Sequence, residues 1–160
     1  MGKADRYQKL YPVTWDQLHR DAKALAWRLL EQGPYKGIIG VARGGLVPAA
    51  IVARELNIRM VDTLCICTYQ GREQTGGEEV LKAIEGDGDG WLIIDDLVDT
   101  GNTARIIRDM LPKAHFATLY SKPAGKPLVD SFITEVSQDT WILFPWDSEV
   151  QYTAPLVEQN

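Results

Sequence analysis

A short stretch of the chain, WLIIDDLVDTGNTA at residues 91–104, places three carboxylates around a glycine turn. Its apolar run is typical of a buried strand, and Asp95 and Asp96 lie where that run ends. Asp99 follows within Asp-Thr-Gly-Asn-Thr, directly before a predicted helix. Because the free N–H groups at the start of a helix attract anions, this pattern predicts a phosphate site with acids beside it.

Carboxylates repel phosphate, so a ligand of this stretch must present different groups to its two parts. A phosphate monoester fits the loop, where Gly101 permits a tight turn and Thr100 and Thr103 add hydroxyl donors. The acids fit sugar hydroxyls, which donate to carboxylates, or Mg²⁺, which prefers oxygen ligands and bridges to diphosphate. Sugar, phosphate and Mg²⁺-diphosphate in one ligand indicate a phosphoribosyl diphosphate.

Helices that alternate with apolar strands must position this stretch. A capping box of Thr14 and Gln17 begins the first helix, which Gly33-Pro34 ends. The alternation predicts an α/β fold with a mostly parallel, twisted sheet flanked by helices. The further predicted elements are helices over 46–57 and 103–111 and strands over 36–42, 58–69, 91–97 and 114–121.

Three of the predicted strands run into loops of unusual chemistry, VARGG, IIDDLVDTGNT and LYSKP. Ligands of open α/β sheets bind beyond the carboxyl ends of the strands. A single glycine-containing turn of this kind is common, whereas three in one small chain indicate a shared binding site.

Two segments depart from the alternation of helices and strands. Residues 70–90 are polar, acidic and glycine-rich, and we expect a long loop that is either a lid over the site or an inert surface loop. Residues 122–150 contain prolines and tryptophans and predict short strands in a small flap, the hood. With a core over 12–121, the 160 residues are expected to form one domain.

Composition narrows the classes of protein further. The net charge of −5 argues against broad binding to nucleic acid. The sequence has neither an apolar run long enough to span a membrane nor a signal-peptide core, so a cytoplasmic protein is expected. Cys65 and Cys67, at i and i+2 on one strand, indicate small buried side chains rather than metal ligands. His19 and His115 lie far apart and predict structural or surface roles.

The acidic stretch also resembles the ribose-phosphate signature of the type I purine phosphoribosyltransferases. The resemblance covers about residues 12–147 and includes ARGGLVPAAIVARELNIR, EGDGDGWLIIDDLVDTGNTA, PKAHF, KPAGKPLVD and QDTWI. That family transfers phosphoribose from its 1-diphosphate to a purine nitrogen and releases diphosphate. The short flap and QDTWI favour the members that use xanthine and guanine over those that prefer hypoxanthine.

The resemblance implies roles for the acids and for the loop. Asp95 and Asp96 would hold the ribose hydroxyls, with Asp96 nearest a Mg²⁺ cofactor. Asp99 would accept the proton from N7 of the purine or stabilise positive charge there. For Asp95, a structural hydrogen bond at the end of the strand is the alternative. The 5′-phosphate would be cradled by Asp99, Thr100, Gly101, Asn102 and Thr103.

The diphosphate would bind to two other parts of the chain. Arg43 and Gly44 would bind it through backbone amides, and the resemblance implies a cis peptide bond at Ala42–Arg43. Arg72 is the arginine of the 70–90 loop and is therefore the candidate to reach the diphosphate when that loop closes and excludes water.

The purine would bind to residues near the hood. Lys122 would donate to the 6-oxo group, Trp141 would stack on the base, and the Ile142 backbone would read the 2-position edge. The alternatives are a surface lysine at 122 and a core tryptophan at 141.

Rival classes fit the sequence less well. A receiver-type signalling domain also has paired acids and Lys-Pro, but its acid pair belongs near the start of the chain. A regulator that binds phosphoribosyl diphosphate without catalysis needs a DNA-binding part, for which there is no basic segment. A hypoxanthine-preferring enzyme is the nearest alternative. The resemblance also implies a homotetramer and a loose, peripheral association with the inner membrane.

Overall fold

The computed structural model describes residues 7–68, 77–147 and 155–159. The helices are α1 (Trp15–Leu29), α2 (Leu46–Glu55) and α3 (Asn102–Met110). The strands are β1 (Lys9–Pro12), β2 (Gly37–Ala42), β3 (Val61–Thr68), β4 (Glu78–Lys82), β5 (Trp91–Val98), β6 (His115–Ser121), β7 (Thr134–Glu135) and β8 (Thr140–Leu143). Short 3₁₀ turns lie at Leu30–Gln32, Lys126–Leu128 and Leu156–Glu158.

Six strands form the main sheet in the order β4-β3-β2-β5-β6-β7. All neighbours in this sheet are parallel except β4, which runs antiparallel to β3. The predicted α/β fold with a mostly parallel sheet and flanking helices is confirmed. Since β2, β5 and β6 are consecutive parallel neighbours, their carboxyl ends lie side by side at one edge of the sheet.

The hydrophobic core lies on both faces of this sheet. Alternate residues of a strand point to opposite faces, so Ile38 and Leu92 pack with α1 and α2 while Ile39 and Ile93 pack with α3. Burial on both faces explains why these strands are continuous apolar runs in the sequence. The resulting layers hold the strand ends in fixed positions.

The helix boundaries follow from local signals. The Thr14 hydroxyl accepts the Gln17 backbone N–H at 3.2 Å, which confirms the predicted N-cap of α1. The Gln17 side chain instead donates to the Tyr11 hydroxyl at 3.1 Å, so it ties the helix to the preceding strand. Pro48 lies in the first turn of α2, where its missing N–H has no intrahelical partner to lose.

The long loop predicted over 70–90 is wrong for Glu78–Lys82, which is strand β4. This strand pairs with β3 at the edge of the sheet, and the Lys82 amine contacts the Asp62 carboxylate at 2.5 Å. An edge strand with charged residues is not predicted from hydrophobic periodicity, because it has no apolar face to bury. Residues 69–76 lie outside the described part of the chain.

A second, two-stranded sheet joins the two ends of the chain. The parallel strands β1 and β8 pair Lys9–Pro12 with Thr140–Leu143. Short strands in the tail are confirmed, but the sequence carried no expectation of a strand before Pro12. Within the described residues, no helix is both long and apolar enough to cross a membrane.

The cysteines and histidines have structural surroundings. Cys65 and Cys67 are half-buried free thiols on β3. His115 is half-buried and shares a hydrogen bond of 2.8 Å with the Ser131 hydroxyl, while His19 is exposed on α1. Among the described residues, no group of three or more histidine, cysteine, aspartate or glutamate side chains could hold a metal ion by itself.

Candidate active site

The carboxyl ends of β2, β5 and β6 bring the three unusual loops to one edge of the sheet. Arg43–Gly45 follow β2, Asp99–Gly101 follow β5, and Lys122 follows β6. A larger cavity of about 330 Å³ lies elsewhere, between residues 29–36 and 56–59 at the amino ends of β2 and β3. Because ligands of parallel sheets bind at the carboxyl ends, we place the candidate site at the first of these two edges.

The loop after β5 has the form of an anion site. Gly101 has φ of 90° and caps α3, a conformation that favours glycine. A Cβ at this position would also lie 2.6 Å from Leu128 Cδ1, so the space is closed to a side chain. A cavity of about 120 Å³ lies against this loop, bordered by Asp99, Thr100, Asn102 and Thr103 among others. The free N–H groups of the α3 start and two threonine hydroxyls are thus near one small hollow.

Asp95 and Asp96 lie side by side near the end of β5. Both are half-buried, and the Asp96 backbone N–H donates to Asp95 Oδ1 at 2.8 Å. Burial raises the pKa of Asp95 well above its usual range, and the nearby Asp96 carboxylate raises it further. Burial also raises the pKa of Asp96, to about 6, although hydrogen bonds oppose that rise. Two carboxylates in this state favour a cation or hydroxyl donors as partners.

The loop after β2 is in close contact with these acids. A Cβ on Gly44 would lie 2.2 Å from Asp96 Oδ2, and a Cβ on Gly45 would lie 2.3 Å from the Ile94 carbonyl. Only glycine therefore lets the β2 loop lie against the end of β5. The peptide bond between Ala42 and Arg43 is cis, as the resemblance implied. Arg43 is exposed, and Arg72 lies outside the described residues.

Asp99 is the centre of a hydrogen-bond network. Its Oδ2 accepts from Lys122 Nζ at 3.1 Å and from the Tyr7 hydroxyl at 3.2 Å. Its Oδ1 accepts from the Gln138 amide at 2.7 Å. Lys122 is only 1% exposed, which rules out a surface lysine at this position. A buried ammonium needs a paired charge, and Asp99 supplies it.

The hood contributes an aromatic group and a free backbone edge. Trp141 is half-buried and meets the Tyr7 ring edge to face, with centroids 5.1 Å apart. The Asp139 and Leu143 carbonyls bond to β1, and backbone groups alternate in direction along a strand. The N–H and C=O groups of Ile142 are thereby directed away from β1. Its side chain packs in the core at 5% exposure.

Sequence reasoning missed three residues at this edge. Gln138 lies within the quoted QDTWI, yet its contact with Asp99 has no local signal. Tyr7 reaches the site only through the pairing of β1 with β8. Glu78 reaches it through β4, where its Oε1 accepts from the Thr103 hydroxyl at 3.2 Å. Nothing in a single sequence reports these long-range contacts.

The chain belongs to the phosphoribosyl transferase family, because the family model for the phosphoribosyl transferase domain matches residues 14–153. It is 74% identical over 159 residues to a xanthine-guanine phosphoribosyltransferase of Nitratidesulfovibrio vulgaris strain DP4, covering 99% of this chain and 98% of that protein. It is 62% identical over 154 residues to the protein of the same name from Desulfotalea psychrophila, covering 96% of each.

A solved structure extends the likeness to the fold. The purine phosphoribosyltransferase of Pyrococcus horikoshii Ot3 superposes with a TM-score of 0.77 at 29% identity, covering 92% of this chain and all, 100%, of that one. The type I purine phosphoribosyltransferase fold that the sequence resemblance implied is confirmed.

Proposed function

We propose that this protein is a purine salvage enzyme that transfers 5-phosphoribose from 5-phospho-α-D-ribose 1-diphosphate to xanthine or guanine. The products are the nucleoside monophosphate, XMP or GMP, and diphosphate. The observation that carries the proposal is that Asp99 joins the anion loop to Lys122, so that a phosphoribosyl site and a purine site share one carboxylate. The names of the close relatives support the same reaction.

The phosphoribosyl part of the substrate is assigned to the end of β5. We propose that the loop from Asp99 to Thr103 binds the 5′-phosphate through backbone N–H groups and hydroxyls. Asp95 and Asp96 accept hydrogen bonds from the ribose hydroxyls. Arg43 and Gly44 contribute backbone amides to the diphosphate, since the tight packing of Gly44 on Asp96 keeps the two loops together.

The donor set at this position fits Mg²⁺, which binds through one or two carboxylates together with substrate phosphates. The raised pKa values of Asp95 and Asp96 mean that a cation would stabilise both ionised forms. We propose that Asp96 holds the ion. When bound, Mg²⁺ would neutralise charge on the leaving diphosphate.

The purine is assigned to the ends of β6 and β8. Lys122 donates to the 6-oxo group, the Trp141 ring stacks on the base, and the Ile142 backbone reads the 2-position edge. The free edge of β8 supports the last of these roles, because Ile142 is directed away from its partner strand.

The proposed reaction breaks the bond between C1′ and the diphosphate oxygen and forms a bond between C1′ and a purine nitrogen. Positive charge develops on the ribose as diphosphate departs. Asp99 accepts the proton that leaves N7 of the purine, which it can do because it lies between the two parts of the site. The loop amides stabilise the departing negative charge.

Four expectations from the sequence stay proposals. They are one domain with a core over 12–121 and a hood over 122–150, a segment between β3 and β4 that carries Arg72 to the diphosphate, a homotetramer, and a cytoplasmic location with peripheral membrane association. Light scattering after gel filtration tests the tetramer, and fractionation of the source cells tests the location.

The reaction is tested by incubating the protein with phosphoribosyl diphosphate, Mg²⁺ and one of xanthine, guanine or hypoxanthine. Nucleotide formation from xanthine and guanine, with a lower kcat/KM for hypoxanthine, is the expected result. Omission of the purine and addition of excess chelator are the controls. Absence of nucleotide with every base would end the enzyme proposal, whereas product from hypoxanthine alone would establish the hypoxanthine-preferring alternative.

A further inference from the structure

Tyr7 touches three of the residues assigned to the purine. Its hydroxyl donates to Asp99 Oδ2 at 3.2 Å, and the Lys122 ammonium lies 4.6 Å from its ring centroid. Its ring meets the Trp141 ring at 5.1 Å, with 65° between the planes. A single aromatic side chain thus presents a ring to Trp141 and a donor to Asp99, which are the two features that a purine with a protonated N7 must present.

The Asp99 carboxylate has little room for a further donor while Tyr7 is in place. Two protein donors bind its Oδ2, and Gln138 binds its Oδ1. A carboxylate has about four acceptor positions, and these side-chain hydrogen bonds occupy three of them. A purine that stacks on Trp141 and donates an N–H to Asp99 must still displace the donor that lies against Trp141. How much of the structure must move depends on which of the three donors the purine displaces.

The other two donors are fixed by the fold. Lys122 is 1% exposed at the end of β6, and its ammonium is compensated by Asp99. Gln138 is tied on both sides, since its Oε1 accepts the Ala124 backbone N–H at 2.9 Å. Tyr7 lies instead just before the short strand β1, and the next residues, 8–10, are exposed. Tyr7 belongs to neither cluster of the hydrophobic core, so its displacement does not require the core to repack.

We propose that Tyr7 occupies the purine subsite as an internal competitor and that the incoming purine displaces it. This inference rests on the proposed function, because it uses the purine site assigned above. Tyr7 thereby sets the apparent affinity for the base: binding the purine costs the free energy of the Tyr7 hydrogen bond and ring contacts. The amino-terminal segment lies before residues 12–147, which resemble the purine phosphoribosyltransferases. Through Tyr7 this segment would also contribute to the affinity of the site for the base.

The test compares the wild-type protein with Tyr7→Phe and Tyr7→Ala in steady-state assays with guanine at saturating phosphoribosyl diphosphate. One hydrogen bond is worth about 0.5–1.5 kcal/mol net, so KM for guanine should fall about two- to tenfold in Tyr7→Phe. It should fall at least as far in Tyr7→Ala, with kcat and the KM for phosphoribosyl diphosphate unchanged. Calorimetric titration with guanine in the absence of phosphoribosyl diphosphate should show the same increase in affinity without turnover.

Tyr11→Phe is the matched control, because the Tyr11 hydroxyl bonds to Gln17 and its ring packs on Tyr120 outside the site. A KM for guanine that rises or stays constant in both Tyr7 variants would overturn the inference and assign Tyr7 a purine-holding or passive role. If the wild-type protein forms no nucleotide, the proposed function fails. Turnover by the wild type with an unchanged KM in the variants fails only the role of Tyr7.

Discussion

The two halves of the candidate site are built in different ways. The phosphoribosyl half centres on one continuous stretch, in which Asp95, Asp96 and Asp99 follow one another at the end of β5, and the β2 loop packs against it at Gly44. The purine half gathers residues that lie 23, 39 and 92 positions from Asp99, namely Lys122, Gln138 and Tyr7. The conformation of the phosphoribosyl half is set locally by the glycine turn and the start of α3. The position of Tyr7 in the purine half depends instead on the pairing of β1 with β8.

This difference has a consequence for how each half responds to change. The phosphoribosyl half is closed by glycines against fixed backbone and carboxylates, so a single added methyl group disturbs it. The purine half is closed by one side chain, Tyr7, which precedes the exposed residues 8–10, so this half can yield to a ligand. Substitutions in the first half should therefore damage catalysis, and substitutions in the second should tune affinity.

The largest effect is expected at Asp99, the residue that the halves share. Asp99→Asn keeps the size of the side chain and two acceptor positions but removes the negative charge and the proton-accepting carboxylate. Loss of a general base lowers turnover by about 10²–10⁴-fold, measured as kcat with guanine. Asp109→Asn, on the exposed side of α3, is the control and should leave kcat unchanged. Activity of Asp99→Asn within a factor of three of wild type would remove Asp99 from the chemistry.

The next effect is expected at Gly44. The Cβ of Gly44→Ala would lie 2.2 Å from Asp96 Oδ2 and 2.5 Å from its Cγ, so the carboxyl group must move. A displacement of about 1 Å in a catalytic site costs on the order of 10²-fold, which should appear in kcat/KM for phosphoribosyl diphosphate.

Gly86→Ala provides the comparison for Gly44, since that glycine has φ of 91° and open space around it. It should lose stability through backbone strain and keep its activity. Equal losses of kcat/KM in both variants would contradict the assignment of Gly44 to the site.

The same difference between the halves explains which features of the structure could be predicted from the sequence. The end of β5, the N-cap at Thr14 and the glycine turn at 101 were predictable because each is a local pattern with a local physical cause. Strand β4 and the pairing of β1 with β8 were not, since charged or short edge strands gain their stability from neighbours that lie far away in sequence. Tyr7 and Glu78 are placed at the site by these strands, so neither residue could be predicted as part of the site.

A third prediction concerns stability rather than rate. The folded protein raises the pKa of Asp96 from 3.8 to about 6, so between these pH values it binds more protons than the unfolded chain. Stability of the unliganded wild type should therefore fall as pH rises through this window. Asp96→Asn removes the buried charge. At pH 7.5 its free energy of unfolding, measured by urea denaturation, should exceed that of the wild type by about 1–3 kcal/mol. The gain should shrink toward pH 4, and an unchanged difference at both pH values would contradict the burial of an ionised Asp96.

The smallest effect is expected where β4 reaches the phosphate loop. Thr103 donates its hydroxyl to Glu78 Oε1 at 3.2 Å, and within the described residues the buried Glu78 Oε2 has no hydrogen-bond partner. This carboxylate lies beside the hollow assigned to the 5′-phosphate and engages one of its donors, the Thr103 hydroxyl, whereas Tyr7 engages the acceptor Asp99 at the purine end. Glu78→Gln removes a like charge that repels the phosphate, and KM for phosphoribosyl diphosphate should fall about two- to fivefold. Glu79→Gln, an exposed neighbour on the same strand, should change it less. An equal fall in the two variants would indicate a general effect of net charge and would leave Tyr7 as the only internal competitor assigned to this site.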